Sequence, residues 1–199
     1  MGMLEQTTIA AHVVWPNEKD IELLSGSKVG AIHNPTSNMK TGAGVAPIPA
    51  MLEAGVHIGL ATDGAASNND LDMWEEMRLA ALIHKGVASD PTVMPAAEAL
   101  KMATRGGAIA VGMEQTGALQ VGLKADMIQV SLDSMRLTPL YDVVSQLVYA
   151  ANSSDVVTSI VDGQILMRDR KVLTLDEAVI KEAVEKIAVQ IRADLEKAE

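Results

Sequence analysis

Along the first ninety residues, hydrophobic and polar positions come in blocks. Residues 7–14 (TTIAAHVV), 28–33 (KVGAIH) and 56–62 (VHIGLAT) are short apolar runs, and each predicts a strand. Helical signals lie between them. Asn17 can cap a helix over Glu18–Ser25, with Asp20 in its first turn and Gly26 near its end. Pro47 and Pro49 open a helix that runs through Glu53, and Gly55 closes it. Near-continuous apolar strands separated by short helices predict a buried parallel sheet with βαβ crossovers, an α/β class. Residues 71–85 (LDMWEEMRLAALIHK) predict an amphipathic helix with Leu71, Trp74, Met77, Ala81 and Leu82 near one face. Residues 95–103 and 107–111 predict two further short helices.

The pattern then changes. Residues 124–132 (KADMIQVSL) predict a strand. Residues 155–173 predict a β-hairpin turning at Asp162 and Gly163, a dipeptide suited to the positive φ angles of a tight turn. A long helix is expected from 176 to about 197, with Thr174 and Glu177 as a capping box. Its stripe of Val179, Val184, Ile187, Ile191 and Leu195 predicts that it packs on something. Three parallel strands leave two open sheet edges, so further strands are expected from elsewhere.

Composition narrows the function. A net charge of −10 with scattered basic residues argues against nucleic acid and against anionic membranes. The absence of cysteine excludes disulfides and thiolate metal sites. There is no Phe, so the core must be built from small aliphatic side chains and twelve Met. No apolar run approaches 18 residues and no leader is evident, which predicts a soluble cytoplasmic protein. Met1, followed by Gly2, Met3 and Leu4, reads as the start of a shortened reading frame.

All three strands run into chemistry-bearing residues: His12, then His33 with Asn34 and Pro35, then Asp63 with Gly64. In barrels of parallel strands, active sites gather at the C-terminal strand ends. Taken alone, His12 fits a core histidine, Asp63–Gly64 a strand-end turn and His33 a loop residue before Asn-Pro. Asn38, Ser67, Asn68 and Asn69 fall in loops at the same end. His57 lies early in its strand and reads as structural. His84 reads as a surface residue at a helix end, and Glu75, Glu76 and Arg78 as a solvated helix face.

The segments AAHVVW, HNPTSNMK and LATDGAASNNDLDMWEEMRLAALIHK, in this order, resemble the amidohydrolase superfamily, most closely its 5-methylthioadenosine/S-adenosylhomocysteine deaminases. GALQVGLKADMI and the hairpin around Val161, Asp162 and Gly163 extend the likeness over nearly the whole chain. The resemblance implies the C-terminal part of a (β/α)8 TIM-type barrel, strands six to eight, in residues 1–115. Residues 116–199 would then form the C-terminal portion of a small β-sandwich and a terminal helix.

The resemblance also implies zinc or another divalent metal, with Asp63 as a metal ligand and catalytic residue. His12 would contact the attacking water. Asp63, His33, Asn38 and Ser67 would line the substrate. The implied reaction is hydrolytic deamination of a small adenine nucleoside, namely methylthioadenosine, S-adenosylhomocysteine or adenosine. The remaining metal ligands of the family, a His-x-His pair and a fifth-strand His, have no counterpart here. Nor does its proton-donating Glu. The chain is therefore expected to be inactive alone and to need an N-terminal half. Two alternatives stand beside this reading: another amidohydrolase activity (chlorotriazine hydrolysis, or guanine or cytosine deamination), or a non-catalytic fragment that assembles with itself or with such a half.

Overall fold

The computed structural model, which describes residues 2–197, holds two sheets, with helices between their strands and between the sheets along the chain. The reading of Met1 as the start of a shortened frame lies outside the described residues. The first sheet holds β1 (Thr8–Ala11), β2 (Val29–His33) and β3 (His57–Leu60), all parallel and in that order. Three helices fall among these strands: α1 (Glu18–Ser25), α2 (Pro35–Lys40) and α3 (Ile48–Glu53). After β3 come α4 (Met73–Ala88), α5 (Ala96–Ala103) and α6 (Arg105–Ala110). The second sheet is antiparallel, β4 (Met127–Val130), β5 (Val156–Val161), β6 (Gln164–Arg168) and β7 (Lys171–Val172), with α7 (Val143–Tyr149) between β4 and β5. Helix α8 (Glu177–Glu196) ends the described chain. The protein is of the α/β class.

Local chemistry explains most boundaries. Asn17 accepts the amides of Lys19 and Asp20, and Asp20 returns a bond to the Asn17 amide, which pins the start of α1. At the β5–β6 turn, Asp162 and Gly163 have φ of 49° and 78°, the left-handed pair that a two-residue hairpin requires. A second turn, at Asp169 and Arg170, also uses positive φ without any glycine to announce it, so β7 was not foreseen. Helices α2 and α7 were not foreseen either. Two expectations about α8 need correction. Its N-cap is Asp176, which accepts the amides of Ala178 and Val179, rather than Thr174. Its apolar stripe does not pack: Val179, Val184, Ile187, Ile191 and Leu195 are 54–63% exposed.

The core lies between one face of the first sheet and α3, α4 and α5. Ala31, Ile58 and Leu60 meet Ile48, Met51, Met77, Ala80, Ala81, Ala99 and Met102. Met fills the volume that Phe would take elsewhere. Strand β2 is buried throughout, as expected of a central strand, whereas β1 at the edge leaves Ile9 exposed. Helix α6 sits directly on the sheet because glycines leave room for it. A Cβ on Gly30 would lie 1.8 Å from the Ala110 carbonyl oxygen, and one on Gly59 would lie 3.0 Å from Gly107 Cα. Gly30→Ala must therefore push α6 off the sheet, since backbone cannot yield as a side chain can. The expected loss is about 3 kcal/mol or more in denaturant unfolding. A variant as stable as the parent would show that α6 does not sit where described.

The described residues include no helix long and apolar enough to cross a membrane.

Candidate active site

Parallel pairing brings the C-terminal ends of β1, β2 and β3 to one edge of the sheet, and the chain leaves each strand there abruptly. After β1, His12 and Val13 adopt φ of 70° and 42°; after β3, Asp63 adopts 64°. Left-handed backbone is uncommon for residues with a Cβ and costs on the order of 1–3 kcal/mol each, most for a β-branched side chain such as Val13. The surrounding hydrogen bonds hold it. The His12 amide donates to the Ile32 carbonyl at 2.8 Å and to Asn34 Oδ1 at 3.3 Å. Asn34 Nδ2 donates to the Ala61 carbonyl at 3.1 Å. One Asn side chain, rooted at the end of β2, thus ties the exits of β1 and β3 together.

The consequence is a short bridge across β2. His12 Nε2 stands 3.8 Å from Asp63 Oδ2, both side chains being partly open to solvent. The other ring nitrogen of His12, Nδ1, is 2.8 Å from Asn38 Oδ1. In that arrangement Nδ1 carries the proton and donates, leaving the Nε2 lone pair directed toward Asp63. Asp63 Oδ2 accepts hydroxyl bonds from Ser37 and Ser67, each at 2.7 Å. The Ser67 and Ser37 hydroxyls and the Gly64 backbone hold the Asp63 carboxyl down at about 2, so it stays anionic. An exposed, firmly ionised carboxylate beside an imidazole lone pair can face a cation and a polarised water.

The residues singled out by sequence fall into three places. His12, Asp63 and Ser67 meet at the open edge. Asn38 is buried, and its oxygen serves His12. His33 corrects the expectation of a substrate-lining residue, because it is only 1% exposed and its Nε2 lies 3.2 Å from that of His84. His84 is in turn buried and not at the surface as read. Burial lowers His33 to about 3, assisted by His84, and lowers His84 to about 4, assisted by Lys85. The two rings are a neutral pair in which one Nε2–H donates to the other. Glu76, read as part of a solvated face, is wholly buried. His57, by contrast, is exposed at the start of β3.

Ser37, Asn34 and Glu76 were missed as parts of the site. The signals were available for two of them. Pro35 suits the first turn of a helix, which would have placed Ser37 and Asn38 on α2. Glu76 shares the α4 stripe of Met77, Ala80, Ala81 and His84, so an inward orientation could have been read from spacing.

Among the described residues, no group of three or more His, Cys, Asp or Glu could hold a metal ion. Asp63 fits the place of a single carboxylate ligand, and these residues alone do not build a metal site.

Residues 1–166 match the Amidohydrolase family. The 5-methylthioadenosine/S-adenosylhomocysteine deaminase of Dictyoglomus thermophilum is 50% identical over 191 residues, covering 96% of this chain and 45% of the relative. The 5'-deoxyadenosine deaminase of Methanosarcina mazei is 50% identical over 193 residues, covering 97% of this chain and 44% of the relative. Among solved structures, a zinc-bound adenosine deaminase from Xanthomonas campestris superposes with a TM-score of 0.93 at 37% identity, over 96% of this chain and 44% of that one. A zinc complex of atrazine chlorohydrolase from Arthrobacter aurescens superposes with a TM-score of 0.78 at 30% identity, over 93% and 40%. The chain thus spans about 45% of the length of the curated relatives it matches. It belongs to the amidohydrolase family.

Proposed function

We infer that this chain forms the C-terminal part of a hydrolytic deaminase of adenine-type nucleosides such as methylthioadenosine, S-adenosylhomocysteine or 5'-deoxyadenosine. In this reading β1, β2 and β3 are strands six to eight of a (β/α)8 barrel. Residues 1–115 belong to that barrel, and residues 116–199 to the sandwich portion and terminal helix. One observation carries the reading: His12 and Asp63, far apart in sequence, meet at 3.8 Å on the C-terminal edge of a parallel sheet. The deaminase names of relatives at 50% identity favour it over triazine hydrolysis, whose structural neighbour stands at 30%.

In the assembled enzyme, Asp63 would offer its carboxylate as one ligand to a divalent cation, zinc in the structural neighbours. Such an ion supplies an acidified water, with a pKa of about 7. His12 Nε2 accepts a hydrogen bond from the attacking water and orients its lone pair toward C6 of the purine. Asp63 stands beside the same position, able to receive a proton and pass it to the departing ammonia. Ser67 shares the open edge and can reach the substrate, whereas Asn38 acts from beneath through its bond to His12. The partner in this reading is an N-terminal half that closes the barrel along the free edges of β1 and β3; self-association is the alternative.

The test is reassembly. The chain is mixed with the N-terminal segment of the Dictyoglomus relative and zinc, and ammonia release is measured. Methylthioadenosine or 5'-deoxyadenosine should be deaminated by the mixture and by neither part alone. Turnover of a chlorotriazine with no nucleoside deamination would replace this reading with its rival. A zinc-loaded lone chain that turns over would contradict the need for a second half.

A further inference from the structure

Glu76 is a buried acid with no place in the chemistry above. It sits on α4 with no exposure, in a stripe otherwise made of Met77, Ala80, Ala81 and His84. Burial pushes its carboxyl up, while hydrogen bonds from Thr36 and Asn68 work against that rise. A buried carboxylate is costly unless its oxygens are satisfied, and here each oxygen has a specific partner. Oε2 accepts the backbone N–H of Thr36 at 3.1 Å. Oε1 accepts Nδ2 of Asn68 at 2.6 Å, and the same amide group donates to the Thr62 carbonyl at 2.8 Å.

Those two partners belong to the two segments that hold the site. Thr36 lies in the first turn of α2, next to Ser37, which binds Asp63, and close to Asn38, which binds His12. Thr62 immediately precedes Asp63. Through Thr36 on one oxygen and Asn68 on the other, a single carboxylate fastens α2 to the 62–68 loop. A core stripe would be filled as well by Met or Leu. An acid at this position serves hydrogen bonding, and its bonds lead to His12 and Asp63 from behind.

We propose that Glu76 is a positioning residue, joining α2 to the 62–68 loop and so setting the separation of His12 and Asp63. The inference rests on the reading that those two side chains work at one site. Its test reads placement and not turnover. A reassembled enzyme that deaminates nothing would sink the proposed function and leave this inference intact.

The experiment is NMR on the full chain, comparing the parent with Glu76→Gln, Asn68→Ala and Leu137→Ala. Glu76→Gln keeps the size of the side chain but turns an amide N–H toward either Thr36 or Asn68, so one arm must break. Asn68→Ala removes only the loop arm. Leu137→Ala opens a cavity at a buried position outside the main core cluster and serves as the control for general loosening. The His12 ring and Ser37 amide resonances should shift in Glu76→Gln and in Asn68→Ala and hold in Leu137→Ala. Where the amide oxygen of Glu76→Gln stays with Asn68 and the Thr36 arm breaks, exchange of the Thr36 amide with solvent should accelerate about tenfold or more, the effect of losing one hydrogen bond worth about 1.4 kcal/mol. Should Glu76→Gln fail to fold, Asn68→Ala decides. Folded variants whose His12 and Ser37 resonances stay put, or move no differently from those of Leu137→Ala, overturn the proposal.

Discussion

Asp63→Asn in the reassembled enzyme should leave the fold intact and lower turnover on the order of 10³-fold. The substitution keeps the shape of the side chain and an oxygen able to accept the Ser37 hydroxyl, but it removes the negative charge. Ser67, Ser37 and the Gly64 backbone hold that charge in place, with the carboxyl down at about 2. A neutral amide cannot balance a cation, even with its oxygen in the place of Oδ2, where it still accepts both serine hydroxyls. Metal analysis should accordingly show zinc lost from the reassembled variant. Asp63 is exposed, so unfolding stability should move by no more than about 0.5 kcal/mol. Ser67→Ala should cost far less, about tenfold, because the Ser37 hydroxyl still donates to the same oxygen. An Asp63→Asn enzyme that holds zinc and turns over like the parent would remove Asp63 from the chemistry altogether.

Acid should unfold this protein well before its surface carboxylates are fully protonated, and the cause is the His33–His84 pair. Both rings are held below the ordinary histidine value of 6.5, His33 at about 3 and His84 at about 4, chiefly by burial. In the unfolded chain each would take up a proton near 6.5. The unfolded state therefore binds more protons than the native state at any pH between those values, and stability must fall as pH falls through that window. The contribution is complete above 6.5 and drains away toward 4. At about 1.4 kcal/mol per pKa unit, and with allowance for the coupling of two adjacent rings, the loss is roughly 3–5 kcal/mol. A domain with 5–15 kcal/mol in hand cannot absorb much of that. Denaturant unfolding at pH 7, 5.5 and 4.5 measures the slope. The double variant His33→Leu, His84→Leu should flatten it, because aliphatic side chains take up no proton. A parent curve that is already flat across this range would show that neither ring is held neutral by burial.

The two cases illustrate what kind of information a sequence carries. Asp63 and His12 were legible as candidates because a strand-end position is a local property: an apolar run followed by a polar residue marks it. The Asn17 cap and the Asp162–Gly163 turn were legible for the same reason, since each depends on the backbone conformation of two or three consecutive residues. Helix α2 was missed because its six residues are too few to show a period, and its hydrogen bonds to the site come from side chains that are ordinary loop residues in composition. Glu76 and His84 were assigned to the surface because charge and polarity usually mean exposure. Their partners, Thr36 and His33, lie 40 and 51 positions away, and no local pattern announces such a pairing.

By itself the sequence determined the α/β class, the three parallel strands, most helix limits and the residues able to do acid–base or metal chemistry. These follow from side-chain periodicity and turn stereochemistry, which act over a few residues. Only the tertiary structure decided that Asn34 ties β1 to β3, that Asn38 sets which nitrogen of His12 faces Asp63, and that Glu76 braces both segments. It also decided that the apolar stripe of α8 stays open. Hydrogen-bond partners and burial are fixed by which surfaces meet in space. That outcome depends on the whole chain's packing rather than on any stretch of it.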